Sequence, residues 1–123
     1  MPVPKPLGHY SQSVRAGDLL FLSGQISVDP ITNEICLFNG DVTKQAKLVL
    51  KNIEAILLEQ KLAKEAIVKV SIFLKDISQF AKVNEVYAAF FGSHKPARTT
   101  VEVSNLPKGV DIEIEIVSFK SPT

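Results

Sequence analysis

One arginine near the start of a carboxyl-terminal strand is of a type and in a position that suit ligand binding. Arg98 follows Pro96 and Ala97 and opens a short run of threonine and valine that is typical of a strand. An arginine there can bind a carboxylate through two parallel hydrogen bonds, a geometry that lysine does not match. On position alone, a surface arginine paired with a nearby glutamate is the commoner alternative.

The last strand-like segment alternates isoleucine with glutamate. Its isoleucines, at positions 112, 114 and 116, share one face, and Glu113 and Glu115 share the other. A glutamate beside an uncharged pocket has a raised pKa and can act as a general base toward water. The alternative is a solvated acidic strand face, which the pattern alone favours.

Three polar or small residues in the first quarter of the chain are further candidates. Tyr10 follows a proline-rich arm, where a tyrosine more often holds the arm in place than takes part in chemistry. Ser23 and Gly24 lie at the end of a strand-like run. A small hydroxyl beside a glycine lets a backbone approach a ligand closely, although the same pair also marks a β-bulge.

The spacing of apolar residues predicts two helices and five strands that position these side chains. One helix begins after Asp41 as N-cap, and a second follows Asp76 or Ser78 and ends at Gly92, with its aromatic stripe in the core. The predicted strands cover residues 11–16, 19–25, 67–74, 99–103 and 111–119. The order β-β-α-β-α-β-β is that of an α+β fold, with an antiparallel or mixed sheet and both helices on one face. Because the other face is left uncovered, we expect an oligomer.

Length and composition predict one globular domain over residues 1–123. Fourteen basic and thirteen acidic side chains give a net charge of +1, without the basic excess typical of nucleic-acid-binding proteins. Cys36 has no intrachain partner, and its wide spacing from His9 and His94 predicts no metal site. Neither a membrane-spanning apolar run nor a signal peptide is visible, so a cytoplasmic location is expected.

Five blocks of sequence, in order along nearly the whole chain, carry a more specific signal. They are LGHYSQ (7–12), FLSGQI (21–26), VNEVYAAFF (83–91), PARTTVEV (96–103) and LPKGVDIEIE (106–115). Together they resemble the RidA (YjgF-like) family of reactive-intermediate deaminases. The sequence departs from that family at His9, where proline is usual, and in residues 92–95, a segment that is a residue or two shorter than in many relatives.

The resemblance implies a chorismate-mutase-like fold and a homotrimer, with sheets inward and ligands bound between subunits. It also implies hydrolysis of 2-imino acids, the tautomers of 2-aminoacrylate and 2-aminocrotonate, to 2-keto acids and ammonia without a cofactor. Arg98 matches the residue that binds the substrate carboxylate, and Glu113 the one that activates water. The other matched pocket residues are Tyr10, Ser23, Gly24, Asn84 and, through its backbone, Thr100.

Two other functions stay open at this stage. Some relatives are described as endoribonucleases or inhibitors of translation, which makes an RNA-directed activity one alternative. The near-zero net charge and the lack of an aromatic and basic platform count against it. The other alternative is a non-catalytic regulator that binds metabolites in the same cleft.

Overall fold

The computed structural model describes residues 1–120, which form a five-stranded sheet and two α-helices. The strands are β1 (Ser13–Ala16), β2 (Leu19–Gln25), β3 (Ile67–Leu74), β4 (Ala97–Glu102) and β5 (Ile112–Phe119), and the helices are α1 (Val42–Glu59) and α2 (Phe80–Phe91). The element order matches the predicted β-β-α-β-α-β-β arrangement, so the α+β class is confirmed.

The sheet is mixed, with strand order β1-β2-β5-β3-β4. Strands β3 and β4 run parallel, and the remaining neighbours are antiparallel. The turn between β1 and β2 is two residues long, and Gly17 there has φ +61°, which glycine adopts without steric strain. Strand β4, which carries Arg98, is an edge strand.

Aspartates cap α1 and the 3₁₀ turn that precedes α2. The Asp41 carboxylate accepts from the backbone N–H groups of Thr43 at 3.0 Å and Lys44 at 3.3 Å, as the sequence predicts for α1. Asp76 accepts from the backbone N–H of Ser78 at 3.0 Å in a short 3₁₀ turn that leads directly into α2. Asp76 therefore caps the 3₁₀ turn, whereas the N-cap of α2 itself is Gln79, whose side chain makes no capping hydrogen bond. The prediction of Asp76 or Ser78 as the cap of α2 is wrong, because the 3₁₀ turn, which includes Ser78, lies between Asp76 and the helix.

The main core lies between the two helices and one face of the sheet. The isoleucines of β5 that face the helices are at most 2% exposed. The opposite face carries apolar side chains that the described residues leave open to solvent, including Phe21 at 42% and Val101 at 41% exposure. An uncovered apolar sheet face is the feature that motivates the expectation of an oligomer. No helix within residues 1–120 is long and apolar enough to cross a membrane.

Candidate functional site

Arg98 lies on the edge strand β4 with its side chain toward α2. Its register partner on β3 is Val70, a fully buried residue, so both side chains lie on the helix-covered face. The guanidinium donates to Oδ1 of Asn84 at 2.8 Å. Its Cζ atom is 4.6 Å from the ring centroid of Tyr87 and 5.2 Å from that of Phe80. The guanidinium is therefore held between an amide and two aromatic faces.

The hydrogen-bond partner of Arg98 within residues 1–120 is neutral. Glu102, on the same strand, instead accepts from the backbone N–H of Ile77 at 2.9 Å. The alternative of a surface arginine paired with a local glutamate therefore does not describe this side chain. Arginine carries five N–H donors, so the guanidinium can still bind a carboxylate at two points.

Within residues 1–120, two buried hydroxyl groups near Arg98 have no hydrogen-bond partner, Oγ1 of Thr100 and Oη of Tyr87. Thr100 lies two residues further along β4 and shares a shallow cavity with Arg98, Ile77 and Phe80. Unpartnered buried hydroxyls are rare in native proteins, where a ligand or an ordered water usually satisfies them. Burial raises the pKa of Tyr87 above its ordinary value, and the positive charge of Arg98 acts in the opposite direction.

A second group of predicted residues lines a different cavity, on the uncovered face of the sheet. This cavity has a volume of about 490 Å³ and includes Tyr10, Ser23, Gly24 and Glu113 in its lining. Pro107 and Lys108, from the loop before β5, complete the wall beside them. The structure thus brings four of the seven predicted site residues together here.

Gly24 brings the backbone of β2 directly under the Glu113 side chain. The pairing of β2 with β5 is irregular between Leu22 and Gln25, where β2 has one residue more than β5. A Cβ atom on Gly24 would collide with the Glu113 carboxylate and would lie 2.9 Å from its Cδ and 3.2 Å from its Cγ. The sequence left open a β-bulge or a close approach to a ligand; the structure contains the bulge, and the group that lies against Gly24 is the Glu113 side chain.

Glu113 is half-buried, and its environment favours the protonated form. Burial raises the pKa of its carboxyl group, and the nearby negative charge of Glu115 raises it further. A raised pKa makes a carboxylate a stronger proton acceptor near neutral pH. Glu113 therefore has the electrostatic character expected of a general base.

The amino-terminal arm holds Tyr10 at the edge of the same cavity. The Tyr10 hydroxyl oxygen accepts from the backbone N–H of Leu7 at 3.0 Å. The Ser23 hydroxyl donates to the carbonyl oxygen of Ser11 at 2.6 Å, which ties the arm to β2. The Ser11 contact thus joins the arm to β2 beside Tyr10, and the Leu7 contact fixes the Tyr10 ring within the arm, with His9 in place of the usual proline.

Arg98 and Glu113 do not meet within one chain. Strand β3 separates β4 from β5, which places the two backbones roughly 10 Å apart at the usual strand spacing. Arg98 points to the helix-covered face, whereas Glu113 lies opposite Phe73 on the uncovered face. The predicted site residues therefore form two halves, Arg98 with Asn84 and Thr100, and Glu113 with Tyr10, Ser23 and Gly24.

For the aromatic stripe of α2, the sequence favours core packing over a ligand-binding role. Tyr87 and Phe91 are indeed buried, but the rings of Tyr87 and Phe80 also support the Arg98 guanidinium. A period of 3.6 residues identifies a buried stripe without revealing which strand residue crosses it, so no pattern in the sequence distinguishes these two rings. Within residues 1–120, no cluster of three or more histidine, cysteine or acidic residues is placed to hold a metal ion.

The described residues form a small α+β protein in which Arg98 and Glu113 line two separate cavities. The model of the family described as Endoribonuclease L-PSP matches residues 2–120. The chain therefore belongs to the Endoribonuclease L-PSP family, the RidA-like family that its sequence blocks resemble.

Relatives match over nearly the full length of the chain. The RutC family protein PH0854 of Pyrococcus horikoshii is 52% identical over 117 residues, which cover 95% of this chain and 91% of that protein. The crystal structure of YyfA from Yersinia pestis, of the conserved Rid protein family, has a TM-score of 0.91 at 42% identity and covers 96% of this chain and 93% of that one. The structure of E. coli TdcF with bound serine has a TM-score of 0.88 at 42% identity, with coverage of 97% and 94%.

Proposed function

We propose that this protein hydrolyses small 2-imino acids, the tautomers of 2-aminoacrylate and 2-aminocrotonate, to 2-keto acids and ammonia. The observation that carries the proposal is the Arg98 guanidinium, which Asn84 and two rings hold at the wall of a cavity that a carboxylate can enter. The bound serine of TdcF supports the same substrate size, because serine is a small α-amino acid with the same carboxylate.

We place the complete site between two copies of the chain in a homotrimer. Arg98 and Thr100 lie on an edge strand, where a neighbouring copy can approach them. Glu113 lies on the uncovered apolar face that a neighbour would cover. A contact between the edge of one copy and the face of the next is heterologous, and heterologous contacts that close produce rings rather than two-fold dimers.

In this arrangement Arg98 binds the substrate carboxylate and Glu113 of the next copy acts as the base. The carbon of a protonated imine is already electrophilic, so positioning and one base suffice without a cofactor. Glu113 takes a proton from water as the oxygen bonds to that carbon and the C=N π electrons move to nitrogen, giving an aminoalcohol. Transfer of that proton to the amino group then allows the C–N bond to break, which releases ammonia and, after loss of the hydroxyl proton, the 2-keto acid.

A coupled assay tests the proposal. A pyridoxal-phosphate-dependent threonine dehydratase generates the imine, and the release of 2-ketobutyrate is followed with and without this protein. We expect acceleration by the wild type and its loss in Arg98→Ala and in Glu113→Ala. Arg15→Ala and Glu85→Ala, which change exposed residues outside both cavities, are the matched controls and keep the activity. If Arg98→Ala still accelerates the release of 2-ketobutyrate, the assigned site is rejected. If the folded wild-type protein gives no acceleration, the proposed function is rejected.

The name of the matching family model favours a second candidate function, the cleavage of RNA. The net charge of +1 counts against it, because proteins that bind RNA mainly through phosphate contacts carry an excess of basic residues. Cleavage of single-stranded RNA that Arg98→Ala or Glu113→Ala abolishes would support this candidate instead. Tight binding of 2-ketobutyrate with no turnover of any imine would support a metabolite-binding regulator.

A further inference from the structure

Residues 5–11 form an exposed loop near the amino end of the chain, which we call the arm loop. Pro4 before it is buried and Val3 packs against the main core, so the start of the arm loop is fixed. Although every residue of the arm loop is exposed, Leu7 and Tyr10 line the cavity of about 490 Å³ on the uncovered face of the sheet. How closely these two side chains approach the cavity therefore depends on how the ends of the arm loop are held.

The side chain of Gln12 joins the two ends of the arm loop. Its Nε2 atom donates to the carbonyl oxygen of Pro4 at 2.5 Å, which closes the loop at its base. Its Oε1 atom accepts from Nε2 of Gln25 at 3.1 Å, and that Nε2 atom also donates to the carbonyl oxygen of Ser23 at 3.0 Å. Gln25 is only 5% exposed and lies at the end of β2, so it gives the closure a rigid support. We call Gln12 and Gln25 the glutamine clasp.

The glutamine clasp has a role that the other contacts of the arm loop do not share. At the start of the loop, the backbone N–H of Lys5 donates to Oδ1 of Asn33 at 3.0 Å. At its end, the carbonyl oxygen of Ser11 accepts from the Ser23 hydroxyl. Each of these bonds holds one end to the rest of the protein, whereas the clasp holds the two ends to each other. A glutamine amide suits this position because it donates and accepts at the same time.

We propose that Gln12 is a positioning residue, which holds Tyr10 against the cavity that contains Glu113. The inference rests on the proposed function, and it adds a residue that acts through the arm loop, since Gln12 does not itself line the cavity. When the clasp is open, Tyr10 is free to move away from the cavity, and a smaller fraction of the protein is ready to bind substrate. A smaller competent fraction raises the apparent dissociation constant, so the effect should fall on KM and not on kcat.

Two variants of Gln12 open the clasp in different ways. Gln12→Met keeps the length of the side chain and removes both hydrogen bonds. Gln12→Glu keeps an acceptor for Gln25, but an ionised carboxylate has no proton to donate to the carbonyl oxygen of Pro4. Gln60→Met is the matched control, because Gln60 is partly exposed like Gln12, lies at the C-terminal end of α1 and lines neither of the two cavities described above.

The two tyrosines of the chain make the position of Tyr10 directly measurable. Protein labelled with 3-fluorotyrosine gives one ¹⁹F NMR resonance from Tyr10 and one from Tyr87, and Tyr10→Phe assigns them. In both Gln12 variants we expect the Tyr10 resonance to move toward that of free 3-fluorotyrosine. The resonance of Tyr87, a core side chain that is 8% exposed, should stay at its wild-type position. Gln60→Met should leave both resonances unchanged.

Steady-state kinetics of imine hydrolysis test the effect on the site. A hydrogen bond of ordinary strength shifts a local equilibrium about fivefold, so we expect both Gln12 variants to raise KM by about this factor or more. Their kcat should stay within about twofold of the wild type, and Gln60→Met should match the wild type in both constants. A role in stability alone would instead lower the Tm and the active fraction of the protein, which lowers kcat and leaves KM unchanged.

Other outcomes overturn the inference. A Tyr10 resonance or a KM that stays unchanged in both Gln12 variants would show that the clasp does not position Tyr10 for the reaction. Equal shifts of both tyrosine resonances would indicate a general disturbance of the fold, and a changed oligomeric state in size-exclusion chromatography would assign Gln12 to an interface between copies. A wild type that hydrolyses no imine would reject the proposed function and with it the role of Gln12 in the reaction. If the Tyr10 resonance still moved in the variants, the failure would lie in the proposed function and not in the clasp.

Discussion

Replacing Gly24 by alanine tests whether the position of the Glu113 carboxylate matters for the reaction. Gly24 does not have a positive φ, so alanine can adopt its backbone conformation without strain. The new methyl group, however, would lie 2.9 Å from Cδ of Glu113. Since Glu113 is only half-buried, its side chain can rotate away, and we expect the fold to persist while the carboxylate moves.

The size of that movement follows from the contact distance. Carbon atoms in contact prefer a separation of ~3.5–4.0 Å. Relative to the 2.9 Å contact, the carboxylate must therefore retreat by about 0.6–1.1 Å. A misplacement of roughly 1 Å can lower a rate about 100-fold, which corresponds to ~2.7 kcal/mol in the activation free energy. We expect kcat for imine hydrolysis to fall by about this factor, with little change in the Tm.

The assay compares Gly24→Ala in two backgrounds, wild type and Glu113→Ala. In the second background the side chain that the new methyl group would meet is absent, so Gly24→Ala should have no further effect on the residual activity. Gly17→Ala is the inverse control. Gly17 has φ +61°, a conformation that costs alanine about 1–2 kcal/mol, so this variant should have a lower Tm. Nothing lies within 4 Å of the new Cβ atom, so kcat should not change. Wild-type kcat in a folded Gly24→Ala protein, or an equal loss in both backgrounds, would refute the reasoning.

Neighbouring groups give three more expectations. Asn84→Ala removes the side-chain hydrogen bond to Arg98, and a hydrogen bond to a charged group contributes ~1.5–3 kcal/mol. In steady-state kinetics this variant should raise KM about tenfold, with a smaller effect on kcat. An unchanged KM would contradict this expectation. Because the carboxylate form of Glu113 is the base and its pKa is raised, kcat/KM should be full above that pKa and fall as the pH drops through it, and Glu113→Gln should lack this acid limb. Asp41→Ala should lower the Tm in thermal unfolding and leave kcat unchanged, while Asp41→Asn, which also caps helices, should keep the Tm close to that of the wild type.

The secondary structure could be predicted from the sequence because its signals are local. The period-two pattern of Ile67–Leu74 and the cap at Asp41 need no information from distant residues. The parallel pairing of β3 with β4 could not be predicted, since a strand pattern fixes which side chains share a face but not the direction of the neighbouring strand.

The candidate site could be predicted only in part, because its contacts join residues that are distant in sequence. Arg98 meets Asn84 and Tyr87 across two elements, and Gly24 meets Glu113 across two strands. The residue patterns left Arg98, Gly24 and Glu113 each with an ordinary alternative, and only the resemblance grouped them with Asn84. Neither the patterns nor the resemblance included Tyr87 in the site. The site is divided into two halves because the side chains of Arg98 and Glu113 lie on opposite faces of the sheet. This follows from the strand register in the structure.

Mixed oligomers of Arg98→Ala and Glu113→Ala test the central claim most directly. Each variant alone should be inactive, because every site lacks either the carboxylate anchor or the base. If a site joins Arg98 of one copy to Glu113 of the next, unfolding and refolding an equal mixture should restore about a quarter of the wild-type imine hydrolysis, since a quarter of the sites then receive both native residues. No recovery, in samples that native mass spectrometry shows to contain both variants in one oligomer, would contradict a site shared between subunits.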